Sequence, residues 1–200
     1  MPCPTLYYIR HGETDWNAAS RLQGQRDVAL NALGRRQAAQ CGDILRDLMA
    51  RDGRAPADFD YVSSPLVRAR ATMELVRAGL GLVPTAFRLD PRLKEMSFGR
   101  WEGFTFTELQ AHEAKSLLAR ENDKWGFVVP DDESYAQLVV RVRAWYETVG
   151  RDTVVAAHGG VARALMAHLG VESEQSASAL GEIEQGVVYV FEGQRLARYD

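Results

Sequence analysis

The hydrophobic and polar positions of this chain form short apolar runs separated by longer amphipathic stretches. Thr5 to Ile9 and Val154 to Ala157 are mostly apolar runs that are too short for helices, so they predict buried strands, and Asp60 to Ser64 is also predicted to be a strand. The segment Val187 to Tyr199 holds two further apolar runs around a Glu-Gly turn, which is typical of an antiparallel hairpin. The pattern therefore predicts a sheet whose strands come from the whole length of the chain.

The stretches between these strands carry apolar residues at spacings of three and four, which predicts amphipathic helices. The first helix begins with Asn31 as its N-cap and ends before Gly53. The second is predicted to begin with Ser64 as its N-cap and Pro65 in its first turn, and to run to about Gly79. Each of these helices lies between two predicted strands.

Three later segments also carry helix signals. Thr105 and Glu108 are spaced as a capping box, which marks the start of a helix. Tyr135 to Val149 has the apolar periodicity of an amphipathic helix that is closed by Gly150. A last helix is predicted to start near Val161, shortly after the predicted strand Val154 to Ala157.

The alternation of strands and helices predicts the fold class. Such strands form a mostly parallel sheet that is covered by helices on both faces. We therefore predict an α/β fold, a three-layer α/β/α sandwich with an antiparallel addition at the C-terminus. The 200 residues, 46% of them hydrophobic, suffice for one well-filled core, so residues 1–200 are expected to form a single domain.

Composition and charge argue against several classes of partner. Lys and Arg number 24 against 27 Asp and Glu, so no basic excess supports nucleic-acid binding. No run approaches the roughly 18 apolar residues of a membrane span, and no targeting segment is evident, so we expect a cytoplasmic protein without a membrane partner. Cys3 and Cys41 predict neither a structural disulfide nor a cysteine metal site. The sequence leaves monomer and homodimer both open.

Two histidines occupy matching positions, each directly after a predicted strand. His11 follows the first strand and precedes a glycine, and His158 follows a later strand and precedes Gly159. Because ligands bind outside the carboxyl ends of parallel strands, the two histidines are expected to face each other across one pocket. The glycines allow close approach of a ligand, and the helix near Val161 directs free N–H groups at an anion. The pattern therefore predicts a phosphate site.

One arginine and two further histidines complete the candidate polar residues. Arg68 lies in the first turn of a predicted helix, where a cation opposes the helix dipole. A cation placed against the helix dipole, directly after a strand, is more expected at a functional site than elsewhere. The common alternative is that the Arg68 side chain simply extends to solvent. His112 within a helix and His168 at a helix end are interpreted as structural.

Four ordered segments resemble a known family. They are Ile9–Asn17 (IRHGETDWN), Ser63–Thr72 (SSPLVRARAT), Leu93–Gly103 (LKEMSFGRWEG) and Ala156–Leu165 (AAHGGVARAL). These segments are similar, in the same order, to the four blocks of the histidine phosphatase superfamily, which has the phosphoglycerate mutase-like fold. The resemblance covers the whole chain and implies a phosphatase that acts on a small phosphorylated substrate without a metal or cofactor.

The resemblance also implies roles for single residues. It implies that His11 accepts the phosphoryl group and that Glu95 donates the proton. The residues implied or expected to contact phosphate and substrate are Arg10, Asn17, Gln23, Gly24, Arg68, His158 and Gly159.

The chemistry sets conditions on the nucleophile and the acid. His11 must present an unprotonated ring nitrogen, so its other nitrogen is expected to donate to a nearby backbone carbonyl. The departing alkoxide needs a proton, so Glu95 must be protonated in the first step and can then act as base on water. Glu13 and Glu102 are the alternatives for this role, although each is equally compatible with a loop anchor or a surface charge.

Several activities are compatible with these residues. The glycolytic mutases of the family carry a longer insertion after the third block, whereas Phe104–Pro130 is short here and Pro130–Ser134 opens the next helix, so hydrolysis is favoured. Mutase activity and a non-enzymatic phosphate-binding module are the alternatives, and the lack of clustered ligands disfavours a metallophosphatase. Trp125 and Phe127 either line the substrate pocket or pack their segment down.

Overall fold

The computed structural model describes residues 4–129 and 132–200, and this part of the chain forms a six-stranded sheet. The strands are β1 (Leu6–Arg10), β2 (Asp60–Ser63), β3 (Arg88–Leu89), β4 (Thr153–Ala157), β5 (Val188–Glu192) and β6 (Arg195–Tyr199). They lie in the order β3-β2-β4-β1-β5-β6. The first four strands pair in parallel, whereas β5 pairs antiparallel with β1 and β6. The predicted parallel sheet with an antiparallel C-terminal hairpin is confirmed.

Helices cover both faces of this sheet. The described helices are α1 (Asp15–Ala18), α2 (Ala32–Arg51), α3 (Val67–Gly79), α4 (Phe106–His112), α5 (Ala114–Asn122), α6 (Tyr135–Tyr146), α7 (Gly159–His168) and α8 (Glu174–Ala179). α2 packs against α3 and α6 packs against α7. The predicted three-layer arrangement of the α/β fold is confirmed.

The core divides into two main clusters because successive residues of a strand point to opposite faces. Leu6 and Tyr8 pack in one cluster with α6 and α7, and Tyr7 and Ile9 pack in the other with α2 and α3. A separate, smaller cluster lies within residues 98–129, which we call the roof segment. The buried side chains of this cluster are Trp101, Leu109, Leu117 and Val129.

Two predicted helix starts are confirmed by their caps. The Asn31 side chain accepts a hydrogen bond from the backbone N–H of Gly34 at the start of α2. Thr105 and Glu108 form the reciprocal capping box at the start of α4. Local side-chain chemistry therefore determines where these helices begin.

The predicted start of α3 is wrong. α3 begins at Val67, and Leu66 precedes it in an extended conformation. Leu66 is the N-cap residue of α3, and it makes no side-chain capping hydrogen bond. The Ser64 hydroxyl accepts from the backbone N–H of Leu66 at 3.3 Å and lies 2.8 Å from the ring of His158, so it is engaged before the first turn of α3. Pro65 therefore lies in the connection between strand and helix.

Other boundaries differ by a few residues. α6 ends at Tyr146, before the predicted end at Gly150, and α7 begins at Gly159, two residues earlier than Val161. The strand β3 and the helices α1, α5 and α8 were not predicted, because they are too short to give a periodic signal. Cys3 and the start of the segment Pro130–Ser134 lie outside the described residues. None of the described helices is long and apolar enough to cross a membrane.

Candidate active site

His11 and His158 lie side by side at the carboxyl edge of the sheet. β1 and β4 are neighbouring parallel strands in which Arg10 is aligned with Ala157, so the residues after them leave the sheet together. The ring centroids of the two histidines are 5.1 Å apart, and both side chains are buried. The predicted proximity of the two histidines is confirmed, but their rings pack edge to face, with His158 behind His11, and do not face each other across a pocket.

The two neighbours of the His11 ring select one tautomer. Nδ1 lies 2.8 Å from the carbonyl oxygen of Gly12, which can only accept, so Nδ1 carries the proton. Arg68 Nε donates to the opposite nitrogen, Nε2, at 3.1 Å, so Nε2 holds its lone pair. Burial, together with the charges of Arg68 and Arg10, holds the pKa of His11 well below its usual value. The expected backbone acceptor is found, and the ring presents an unprotonated nitrogen.

Arg68 is fully buried beneath the loop that carries Gly24. Its Nη2 and Nη1 atoms donate to the carbonyl oxygens of Gly24 and Arg26, each at 2.7 Å. Gly24 has a φ of 50°, and a Cβ there would collide with the Glu102 carboxylate, so the position favours glycine. Burial lowers the pKa of Arg68 to about 10. The structure thus assigns Arg68 to the pocket and not to the solvent.

Arg10 reaches the same pocket from the end of β1. Its Nη1 atom donates to Glu182 Oε1 at 2.7 Å and also to the carbonyl oxygen of Ile183. Its Nε atom is buried and has no hydrogen-bond partner among the described residues. The guanidinium is therefore anchored at one end and keeps a donor for a ligand.

His158 is the N-cap residue of α7 and lies behind His11. Its Nε2 atom is 2.8 Å from the Ser64 hydroxyl, whereas its Nδ1 atom is buried without a partner in the described part of the chain. The Tyr8 hydroxyl accepts from the His158 backbone N–H at 2.9 Å, which fixes the main chain at this point. Burial, followed by the positive charge of Arg68, lowers the pKa of His158 well below its usual value.

Glu95 faces the start of α7 from the loop before the roof segment. Its Oε1 atom accepts from the backbone N–H of Met96 at 2.8 Å, and Gly160 N–H lies 3.1 and 3.2 Å from the two carboxylate oxygens. A Cβ at position 160 would collide with Oε1, so Gly160 permits this close approach. The helix N-terminus therefore holds the carboxylate in place.

Arg141 of α6 holds the backbone that carries Glu95. It donates to the carbonyl oxygens of Arg92 at 2.6 Å, Lys94 at 2.7 Å and Glu95 at 3.1 Å. Glu133 accepts two hydrogen bonds, of 2.6 and 2.7 Å, from the same guanidinium. The sequence analysis missed Arg141, because a polar position on an amphipathic helix gives no signal for contact with a distant loop.

One cavity of about 250 Å³ collects most of the predicted site residues. The predicted residues that line it are Arg10, His11, Asn17, Gln23, Gly24, Arg68, Glu95 and Gly159, and His158 lies directly behind His11. The part of the chain described here has no group of three or more His, Cys, Asp or Glu side chains arranged to hold a metal ion. The catalytic and binding roles of the lining residues remain predictions.

The side-chain amide of Asn17 has a defined orientation in this cavity. Its Oδ1 atom accepts from the backbone N–H of Thr14 at 3.1 Å as part of the capping box of α1. Gln185 Nε2 donates to the same oxygen at 3.3 Å. The NH₂ group of Asn17 is therefore the part of the amide that is free to donate to a ligand.

The alternative acids are engaged in loop contacts. Glu13 Oε1 accepts from the Asn31 side chain at 2.8 Å, and Glu102 Oε1 accepts from the backbone N–H of Gln25 at 2.8 Å. Glu102 also pairs with Arg26 at 3.2 Å. These contacts match the interpretation of both glutamates as loop anchors.

The aromatic residues proposed for the pocket pack elsewhere. Trp125 stacks on Tyr135, and Phe127 stacks on Trp101, with ring centroids 5.7 and 5.8 Å apart. Neither Trp125 nor Phe127 lines the cavity, so their packing role is the one observed. The cavity lining that sequence reasoning missed comprises Arg21, Leu22, Phe98, Phe106, Arg120, Lys124, Tyr135, Arg163, Glu182 and Ile183.

Known proteins resemble this chain in both sequence and fold. The family model of the histidine phosphatase superfamily (branch 1) matches residues 6–195. A probable phosphoglycerate mutase, GpmB of Erwinia tasmaniensis, is 36% identical over 138 residues, which cover 69% of this chain and 59% of the mutase. The chain therefore matches less than two thirds of that relative's length. A glucosyl-3-phosphoglycerate phosphatase of Mycobacterium tuberculosis is 35% identical over 181 residues, covering 84% of this chain and 76% of the relative.

Solved structures share the fold. The native structure of the mycobacterial glucosyl-3-phosphoglycerate phosphatase superposes with a TM-score of 0.79 and 30% identity, covering 98% of this chain and 96% of the other. A protein of Thermus thermophilus gives a TM-score of 0.72 and 32% identity, with coverage of 98% and 99%. The similarity thus extends over nearly the whole chain in both structures.

Proposed function

This chain belongs to the histidine phosphatase superfamily and is an enzyme of the phosphatase type, and we propose that it hydrolyses small phosphomonoesters through a phosphohistidine at His11. The observation that carries the proposal is the His11 tautomer. The Gly12 carbonyl holds the proton on Nδ1, so the lone pair of Nε2 is available at neutral pH. A neutral imidazole held in this way is a competent nucleophile toward phosphorus.

The first step transfers the phosphoryl group to the enzyme. Nε2 of His11 forms a bond to phosphorus while the ester P–O bond breaks, and the leaving oxygen takes a proton from the Glu95 carboxyl group. Arg10, Arg68 and the NH₂ group of Asn17 neutralise the equatorial oxygens. Arg68 Nε donates to His11 Nε2 at 3.1 Å in the structure. When phosphate binds, this N–H has to donate to a phosphate oxygen instead, so that Nε2 is free to attack.

The second step returns the enzyme to its starting state. The Glu95 carboxylate takes a proton from a water molecule, the water oxygen bonds to phosphorus, and the P–N bond to His11 breaks. Inorganic phosphate is released and Glu95 is again protonated. These two steps need no metal and no cofactor.

Hydrolysis is favoured over transfer of the phosphoryl group to another hydroxyl group. The relatives carry both names, a probable mutase and a phosphatase, and the phosphatase match covers the larger share of this chain, 84% against 69%. The roof segment contains two short α-helices and one short 3-10 helix, Gly99–Trp101, among its described residues, and such a short cover supports a site that water enters between turnovers. A small phosphorylated metabolite is the proposed partner, with no nucleic acid or membrane involved.

Release of inorganic phosphate tests this choice. With 3-phosphoglycerate or another monoester, phosphate should appear without priming by 2,3-bisphosphoglycerate, because water is the proposed acceptor. Phosphate release and the interconversion of 2- and 3-phosphoglycerate are measured in the same reaction. Interconversion that is faster than phosphate release would show that the mutase alternative is correct.

Removal of the buried Arg68 side chain should reduce the stabilisation of the transition state. Arg68→Ala is expected to lower kcat/KM by on the order of 10²-fold or more, since one preorganised charged donor typically contributes about 3 kcal/mol. Arg70→Ala is the matched control, because Arg70 is exposed on the same helix. Equal activities of the two variants would remove Arg68 from the proposed mechanism. Their thermal unfolding midpoints identify any loss that is due to misfolding.

A further inference from the structure

Three neighbouring parallel strands end in a row of polar side chains. The sheet order places β4 between β2 and β1, and the residues that follow these strands are Ser64 after β2, His158 after β4 and His11 after β1. Nε2 of His158 lies 2.8 Å from the Ser64 hydroxyl, and the ring centroids of His158 and His11 are 5.1 Å apart. Ser64 and His158 are both fully buried. The order of the strands thus places His158 between a serine hydroxyl and the nucleophile.

The Ser64 hydroxyl has one proton to donate and two lone pairs with which to accept. Its Oγ atom accepts from the backbone N–H of Leu66 at 3.3 Å, which uses one lone pair. In the part of the chain that the structure describes, the only other hydrogen-bond partner of Oγ is Nε2 of His158. The hydroxyl proton is therefore paired only if it is donated to this nitrogen.

The two neutral tautomers of His158 differ in how many buried groups they leave unpaired. With the ring proton on Nε2, this N–H donates to Ser64, so the hydroxyl proton and the Nδ1 lone pair both remain unpaired. With the ring proton on Nδ1, Nε2 accepts from Ser64, and only the Nδ1 N–H remains without a partner among the described residues. Because an unpaired buried polar group is costly, the tautomer with the proton on Nδ1 is favoured.

The charge state of His158 agrees with a choice between these two tautomers. Burial, followed by the positive charge of Arg68, lowers the pKa of His158 well below its usual value. The ring is therefore neutral at neutral pH and carries a single proton. The neighbour of each histidine ring then determines what that ring offers, since Gly12 accepts from His11 and Ser64 donates to His158.

We propose that Ser64 is a positioning residue, whose hydroxyl donates to Nε2 of His158 and thereby keeps an N–H donor on Nδ1 for the phosphoryl group. The inference rests on the proposed function, because the phosphoryl group at His11 supplies the acceptor. The opposite tautomer has a lone pair on Nδ1, which cannot donate to a phosphate oxygen. His11 thus offers a lone pair to phosphorus, and His158 offers a proton to oxygen.

Nitrogen NMR reads the tautomer directly. The chain has four histidines, so the signals of His158 can be identified by their loss in a His158→Gln variant. In the ligand-free native protein at neutral pH, long-range ¹H–¹⁵N correlation spectra should show a protonated Nδ1 and an unprotonated Nε2 for His158. A proton on Nε2 would overturn the inference, and this measurement does not depend on the folding of any variant at Ser64.

Inorganic phosphate is the probe for the donor role of His158. Titration of the native protein with phosphate should move the Nδ1 proton signal of His158 downfield, because this N–H gains an acceptor. Calorimetry in the same buffer identifies the concentration at which the site is saturated. An unchanged Nδ1 proton signal in the saturated protein would contradict donation to the phosphoryl group.

Replacement of Ser64 by alanine connects the tautomer to activity. Without the hydroxyl, Nε2 of His158 loses its donor, so both tautomers become populated and the two ¹⁵N signals of the ring should move toward each other. We expect kcat/KM to fall roughly 10–100-fold, the size of one hydrogen bond to a charged group. Unchanged ¹⁵N signals of His158 in a folded Ser64→Ala variant would show that Ser64 does not hold the tautomer.

The preceding serine is the matched control. Ser63 is equally buried, but its hydroxyl donates to the backbone carbonyl oxygens of Ser64 and Ala156, at 2.9 and 3.3 Å. Ser63→Ala should therefore leave the His158 signals and kcat/KM close to those of the native protein. Equal losses in Ser63→Ala and Ser64→Ala would assign both effects to packing and overturn the positioning role.

The outcome of these experiments is separable from that of the proposed function. If phosphohistidine forms at His11 while His158 carries its proton on Nε2, the proposed function stands and the role of Ser64 is wrong. If the Nδ1 proton of His158 is observed and responds to phosphate but no monoester is hydrolysed, Ser64 positions a phosphate-binding donor and the proposed hydrolysis is wrong.

Discussion

Replacement of His11 by alanine is expected to lower phosphatase activity by about 10⁴-fold or more, because no other group can form the covalent intermediate. Brief mixing of the native enzyme with a radiolabelled phosphomonoester, followed by an alkaline quench, should leave label on the protein, since phosphohistidine survives base. The variant should carry no such label. Full labelling of His11→Ala would show that another residue accepts the phosphoryl group.

Two controls separate chemistry from folding in this experiment. His112→Ala should be labelled like the native protein, because His112 is exposed at the end of α4 and does not line the cavity. Circular dichroism and thermal unfolding of His11→Ala should show a folded protein. The loss of label is then due to the missing nucleophile and not to unfolding.

Replacement of Glu95 by glutamine is expected to divide substrates according to their leaving groups. An alkyl alkoxide must be protonated as the P–O bond breaks, whereas an activated aryl oxide departs without help. We therefore expect kcat/KM of Glu95→Gln to fall by on the order of 10²–10⁴-fold on a sugar phosphate and far less on p-nitrophenyl phosphate. Glutamine keeps an oxygen for the Met96 and Gly160 N–H groups, so packing is preserved.

The two other glutamates are the matched controls for this assignment. Glu13→Gln and Glu102→Gln should change kcat/KM by similar factors for both substrates, because both side chains hold loops in the structure. A selective loss on the sugar phosphate in either control, with an equal loss on both substrates in Glu95→Gln, would identify that other glutamate as the acid.

The part of the cavity around His11 and His158 could be predicted from sequence because local rules determine it. A histidine directly after a parallel strand has to emerge at the carboxyl edge of the sheet, so the proximity of His11 and His158 follows from strand order. The prediction failed at Ser64, because its hydroxyl bonds to the N–H of Leu66 and to a histidine that is distant in sequence, and the helix starts only after Leu66.

The rest of the cavity lining could not be predicted from sequence because tertiary contacts determine it. Arg120 and Lys124 come from the roof segment, whereas Arg163 comes from α7, and no spacing rule relates Arg163 to the other two. Arg141 likewise acts on a loop that is remote in sequence. Charged residues on amphipathic helices are usually solvated, so the sequence offers no reason to distinguish these four from the others.

The separate apolar cluster within the roof segment has a consequence for how new specificities arise. Trp101, Leu109, Leu117 and Val129 pack among themselves, whereas the strands that carry His11 are held by the two main clusters. Phe98 and Trp125 of the same segment pack in the main cluster with α6 and α7, so it is substitutions at the other four positions that we expect to leave the packing of the sheet largely unchanged. Because the roof segment lines the cavity through Phe98, Phe106, Arg120 and Lys124, we expect substitutions in its own cluster to change the shape of the cavity with little effect on the sheet that carries His11.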